Sequence, residues 1–175
     1  VLVIQEPDSW SFGLPQALQV VVDGEFGWSV GHTKKHRLTQ LATDIVLCGY
    51  AGDLRIMPTV ELPYELVPGN TGMVMPRAVF REVPPDAVFT GWGGEDEAWG
   101  MALRELVGRE YRSSEPLVHL WHPNEGRDVN GHWETSDATA LRFERYKRAV
   151  HHPARMRKLV AEAVTVMEDL NCPRK

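Results

Sequence analysis

Residues 89–97 read Phe-Thr-Gly-Trp-Gly-Gly-Glu-Asp-Glu, and a run with helical character, 98–107, follows and closes at Gly108. Glycines at 91, 93 and 94 permit positive φ and close backbone approach, at an entropic cost that makes sense where something must fit against them. Trp92 between them offers a flat apolar face with one N–H donor, suited to the C–H face of a sugar. Glu95 and Asp96 fall at the predicted helix start, where free N–H groups and the positive dipole end favour ionised carboxylates. Two adjacent acids in different surroundings can divide the work: one binds a hydroxyl and the other takes its proton. A plain glycine turn followed by helix-capping acids is the competing reading.

Outward from this box, strands and helices alternate, which predicts an α/β fold. Upstream, 71–76 is a candidate strand and 77–81 a short helical turn, preceded by the breaker-rich segment 51–70 with Gly52, Pro58, Pro63, Pro68 and Gly69. Residues 35–48 read as a helix, or a helix plus a strand, with Leu38, Leu41, Ala42 and Ile45 at helical spacing, and 14–22 is either a helix begun by Pro15 or a strand. The first residues, Val1-Leu2-Val3-Ile4, read as a buried strand that Pro7 stops, leaving Glu6 and Asp8 at its end. That opening has neither a basic region nor a cleavage site, so it does not read as a signal peptide. It leaves three origins open: the rear of a longer domain, a processed product, or a non-ATG start.

Downstream, 116–121 is a strand ended by His122-Pro123-Asn124, and a polar loop spans 123–135. Helices follow near 137–150 and from Pro153, the latter with Met156, Leu159, Val160, Ala163, Val164, Met167 and Leu170 on one face. That pattern suits a lid or brace.

The chain has 175 residues, 43% hydrophobic and 25% charged, enough for one domain with a core that needs no disulfides. Its charge of -5 and the lack of a basic block able to track phosphates argue against nucleic acid. No apolar stretch approaches the ~20 residues that span a bilayer. Cys48 and Cys172 are isolated, which suits a reducing, cytoplasmic compartment. The frequent Trp, Val and Arg suit a bacterial or phage gene.

Two further features point to chemistry. Glu6 and Asp8 at a strand end suit a divalent cation bridging to phosphate, against a reading as a solvated turn. His119 and His122 flank Leu-Trp. Alternation along a strand places them on opposite faces unless the strand ends between them. His122, before the proline turn, is the better placed metal ligand, against a structural role.

The segment 69–80, the box 89–96 and the later His122 together resemble the rear half of GT-A glycosyltransferases, especially family 2 bacterial enzymes, chondroitin-polymerase-type domains and β-1,4-galactosyltransferases. The resemblance covers roughly residues 1–125, leaving 136–175 as a helical extension of a single domain. It implies a partial GT-A fold, a Rossmann-like mixed sheet without the N-terminal nucleotide-binding βαβ portion. Glu6-Pro7-Asp8 occupies the place of the family's Asp-x-Asp motif, with Glu in place of the first Asp. By this resemblance Asp8, Glu6 and His122 hold Mn²⁺ or Mg²⁺. Asp96 is the general base for an inverting transfer, Glu95 and Trp92 position a sugar, and Gly93, Gly94 and Asn70 lie close to the donor.

The implied activity is transfer of a sugar from a nucleotide-diphosphate sugar to an acceptor hydroxyl. The implied partners are that donor, a glycan or other acceptor, and a chain supplying the front half. Two alternatives are a truncated, non-catalytic protein that binds glycan or a partner, and a small zinc hydrolase using His119, His122 and an acid.

Overall fold

The computed structural model describes residues 1–60, 64–65, 71–90, 93–123 and 136–171. The chain is mixed α/β and divides into two compact units. The first comprises Val1–Leu66, Thr71–Pro76 and Glu110–Pro123, and the second Val67–Asn70, Arg77–Arg109 and Asn124–Lys175.

The first unit holds two four-stranded sheets. Its strands are β1 (Leu2–Ile4), β2 (Ser9–Ser11), β3 (Ser29–Val30), β4 (Lys34–Arg37), β5 (Tyr64–Glu65), β6 (Met73–Met75), β7 (Tyr111–Arg112) and β8 (Pro116–His119). One sheet runs β1-β6-β3-β7 and the other β2-β8-β4-β5, each mixing parallel and antiparallel pairs. The chain passes from the first sheet to the second three times: β1 to β2, β3 to β4, and β7 to β8. These crossings pack tightly. A Cβ at Gly13 would lie 2.0 Å from Ser113 Oγ and 2.4 Å from the Gly31 carbonyl oxygen, so only glycine fits.

Helix α1 (Leu14–Val22) resolves the ambiguity over that segment in favour of a helix. Pro15 in its first turn sacrifices no intrahelical bond, and Ala17 and Val21 bury against Val74 of β6. The segment 35–48 is a strand first and a helix second. β4 pairs on both edges, then Thr39 caps α2 (Gln40–Leu47) by accepting from the Ala42 N–H at 3.1 Å. Its inward face is Ala42 and Thr43, whereas Leu41, 70% exposed, and Ile45 point outward, contrary to the expected stripe. The breaker-rich stretch contains a 3-10 turn at Leu54–Ile56 and β5.

Strand β1 departs from expectation. It is an edge strand paired only with β6, and Val1 and Val3 are 58% and 47% exposed. Its apolar composition marks one face against the core rather than full burial.

The second unit is helical: α3 (Arg77–Glu82), α4 (Glu95–Leu106), α5 (Asp137–Ala149) and α6 (Pro153–Asn171). Gly94, at φ 87°, caps α4 in the left-handed region, and Gly108, at φ 120°, carries the chain out beyond its end. The buried face of α4 is Ala98, Trp99, Ala102 and Leu103, whereas Met101, Leu106 and Val107 are half-buried. Ser136 caps α5, accepting from the Thr139 N–H at 3.2 Å. Met156, Leu159, Val160 and Ala163 of α6 are buried as their spacing predicts, and α6 packs on α4 and α5. No described helix is long and apolar enough to cross a membrane.

Candidate metal centre

The β1-to-β2 crossing carries Glu6, Pro7 and Asp8. The Glu6 N–H donates to Thr71 Oγ1 at 2.7 Å, and the Ser9 hydroxyl and N–H return to the Glu6 carbonyl at 3.1 and 3.3 Å. β2 then pairs antiparallel with β8 so that Ser9 stands opposite His119, and the Leu120 N–H donates to the Asp8 carbonyl at 2.9 Å. Register therefore delivers the front of the chain to the far end of β8.

Both histidines reach Asp8. His119 Nε2 lies 3.6 Å and His122 Nε2 3.7 Å from Asp8 Oδ2, with ring centroids 5.1 Å apart. One ligand atom of each of the three residues lies within 4.8 Å of the others. The expectation that only one histidine would reach the site fails because the ladder ends at His119. Beyond it the Trp121 N–H leaves for Thr43 Oγ1, at 2.7 Å, and strand alternation no longer applies by His122.

Each ring is oriented by a carbonyl. Nδ1 of His119 is 2.6 Å from the Leu120 oxygen and Nδ1 of His122 is 2.9 Å from the Pro123 oxygen. With Nδ1 donating, Nε2 of both rings carries the lone pair that a cation needs. Burial, reinforced by the Lys35 ammonium, holds the His119 imidazole below its usual range against the opposing pull of Asp8 and Glu6, so it is neutral at neutral pH. Two imidazoles and a carboxylate suit Mn²⁺ or Zn²⁺ better than Mg²⁺, which prefers an all-oxygen shell. Ligand atoms bonded at ~2.1 Å to one tetrahedral ion lie roughly 3.4 Å from each other, close to the 3.6 and 3.7 Å between Asp8 Oδ2 and the two Nε2 atoms, so an ion fits with only small side-chain shifts.

Glu6 stands at the edge of this group. Its Oε2 is 3.7 Å from His119 Nε2 and 3.6 Å from Lys35 Nζ, and it is buried without a hydrogen bond. It is close enough to join the centre but is not one of the three converging ligands.

The acid pair lies wholly in the second unit. Gly93 and Gly94 both have positive φ, and Glu95 turns back so that its Oε2 accepts from the Gly93 N–H at 2.9 Å. That contact ties Glu95 to the glycine turn ahead of the cap residue Gly94, and Asp96 is exposed on the first turn of α4. A Cβ at Gly94 would sit 2.9 Å from the Phe143 ring, so glycine is required there by contact as well as by φ. Asn70, Gly91 and Trp92 lie outside the described residues, as does most of the loop 123–135.

Sequence reasoning ranks His119 below His122 and offers no signal for Lys35, whereas the structure brings both histidines to Asp8. Lys35 carries no motif, and only the β4–β8 pairing brings it to the centre. No protein-family model, curated protein or solved structure matches the chain.

Proposed function

We propose that this chain is a metal-dependent, inverting glycosyltransferase of GT-A type, or the catalytic rear portion of one. The supporting observation is that Asp8 and His122, two residues that the resemblance assigns to one ion, stand 3.7 Å apart although they come from opposite ends of the first unit's sequence. His119 strengthens the same centre and tilts its preference away from Mg²⁺, toward Mn²⁺ or Zn²⁺. A bound divalent ion would act as a Lewis acid on the diphosphate leaving group.

The chain's own residues then divide the remaining tasks. Asp8, His119 and His122 hold the cation, with Glu6 alongside. Asp96, an exposed carboxylate on a helix N-terminus, accepts the proton of the acceptor hydroxyl. Glu95 holds the glycine turn in shape through the Gly93 N–H, and Trp92, Gly93, Gly94 and Asn70 receive the sugars. Inversion follows from a single in-line displacement without a covalent enzyme intermediate.

The test is nucleotide release from a panel of sugar nucleotides with Mn²⁺, comparing the parent with Asp96→Asn and Asp8→Asn. Metal-dependent release lost in both variants is the expected result. No release with any donor, and an Asp96→Asn protein indistinguishable from the parent, would instead indicate a non-catalytic glycan or partner binder. The convergence of His119 with His122 and Asp8 also favours a second reading, a zinc hydrolase. Stoichiometric zinc in the purified protein, with no turnover of sugar nucleotides, would select it.

A further inference from the structure

Next to the three converging ligands stands a cation with no hydrogen bond of its own. Lys35 lies in β4, parallel to β8, with Lys35 opposite Leu117 and Arg37 opposite His119. Alternation therefore sets Lys35 on the same sheet face as His119. Its side chain is 12% exposed, and its ammonium is 3.6 Å from Glu6 Oε2. A charge-assisted hydrogen bond between such groups closes to about 2.7–2.9 Å. Here it does not, and Glu6 Oε2 accepts no hydrogen bond from any group. Among the described residues the Lys35 ammonium donates no hydrogen bond.

A side chain this little exposed, paired with its carboxylate only at 3.6 Å, holds its ammonium in place with donors left for a further acceptor. The charges around it say when that acceptor is welcome. Glu6 and Asp8 place two carboxylates at the centre, which disfavour an anion there until a divalent ion is bound. A divalent ion reverses the local sign to a net positive charge, and a phosphate group bridging ion and ammonium then satisfies both. Glu6 serves meanwhile as the counter-charge that keeps Lys35 folded against the site.

We propose that Lys35 is the anion-binding residue of this centre, gripping the diphosphate of the ligand once the divalent ion is in place. The identity of the anion as a diphosphate rests on the glycosyltransferase reading, whereas the need for an oxyanion rests on the geometry around Lys35. Lys35 is a compact point charge on a flexible stem, suited to phosphate without demanding the planar geometry of a guanidinium.

The experiment is isothermal titration of the Mn²⁺-loaded protein with inorganic pyrophosphate, and with orthophosphate as the single-phosphate comparison. Mn²⁺ alone is titrated separately into every variant. Pyrophosphate is expected to bind the parent more tightly than orthophosphate and to bind poorly without Mn²⁺. Lys35→Met should weaken pyrophosphate at least tenfold while leaving Mn²⁺ affinity unchanged or slightly tighter, since a nearby positive charge is gone. Lys35→Gln should behave as Lys35→Met, providing a second neutral variant should one fail to fold, and Lys35→Arg should retain most of the affinity. Pyrophosphate binding that is equal in parent and neutral variants, or absent from the parent, overturns the proposal. Failure of the parent to bind Mn²⁺ overturns the metal centre itself, a result that the separate Mn²⁺ titration distinguishes.

Discussion

His119 and His122 present Nε2 to one carboxylate because each ring gives its Nδ1 to a neighbouring carbonyl. Removing any member of the cluster should therefore be felt in metal affinity. Asp8→Asn, His119→Gln and His122→Gln are each expected to weaken Mn²⁺ binding at least tenfold by titration calorimetry. An unaffected His119→Gln protein would restore the reading in which only His122 matters. His32 behaves differently. It is fully buried, neither ring nitrogen has a hydrogen-bond partner, and burial, then Arg112 and Lys35, push its imidazole down to about 3. A histidine lowered on folding stays neutral in the native state while the unfolded chain takes up a proton below about 6.5. Its contribution is complete above that pH and is lost as pH falls toward 3, at up to about 1.4 kcal/mol per pH unit. Urea midpoints measured from pH 7 to 4 should fall less steeply in His32→Leu than in the parent, and parallel curves would refute this.

At the scale of elements, α5 acts as a template for the segment leading into the glycine box. Thr139 Oγ1 donates to the Thr90 carbonyl at 2.8 Å and accepts from its N–H at 3.2 Å. Arg142 and Tyr146 donate to Asp86 Oδ2 at 2.7 and 2.9 Å, and Phe143 closes on Gly94. These residues recur at helical spacing, so one face of α5 is given to Asp86, Thr90 and Gly94. Arg142 also binds Glu162 at 2.6 Å and the Leu159 carbonyl at 3.0 Å, tying α6 into the same network. Arg142→Met leaves the buried Asp86 without its cation and should cost about 3–5 kcal/mol in chemical denaturation. Thr139→Val should cost only about 1–2 kcal/mol but accelerate hydrogen exchange at the Thr90 amide, and unchanged exchange there would show that the pair does not hold the segment. The brace expected of α6 was readable from its apolar period. Its polar tie to Asp86 was not, because no local pattern announces a partner reached across two helices.

At the scale of the molecule, ligand linkage offers a readout independent of turnover. Free Mn²⁺ at a hundredfold over its dissociation constant should stabilise the metal-bearing unit by about 2.7 kcal/mol, raising the melting temperature reversibly with chelator. Asp8→Asn should show no such rise. A shift of equal size in both proteins would place the ion elsewhere.

The helices α4, α5 and α6, the strands β1, β6 and β8, the glycine turn at 93–94 and the acids on the first turn of α4 were all legible from the chain alone. Each depends on neighbours a few residues apart: apolar period, capping groups and positive φ. The exposed edge of β1, the order of strand and helix in 35–48, and the meeting of Asp8, His119, His122 and Lys35 were decided by tertiary structure. Those outcomes follow from which strands pair and in what register, and register is set by contacts between segments far apart in sequence, where a one-residue slip would turn every side chain to the other face.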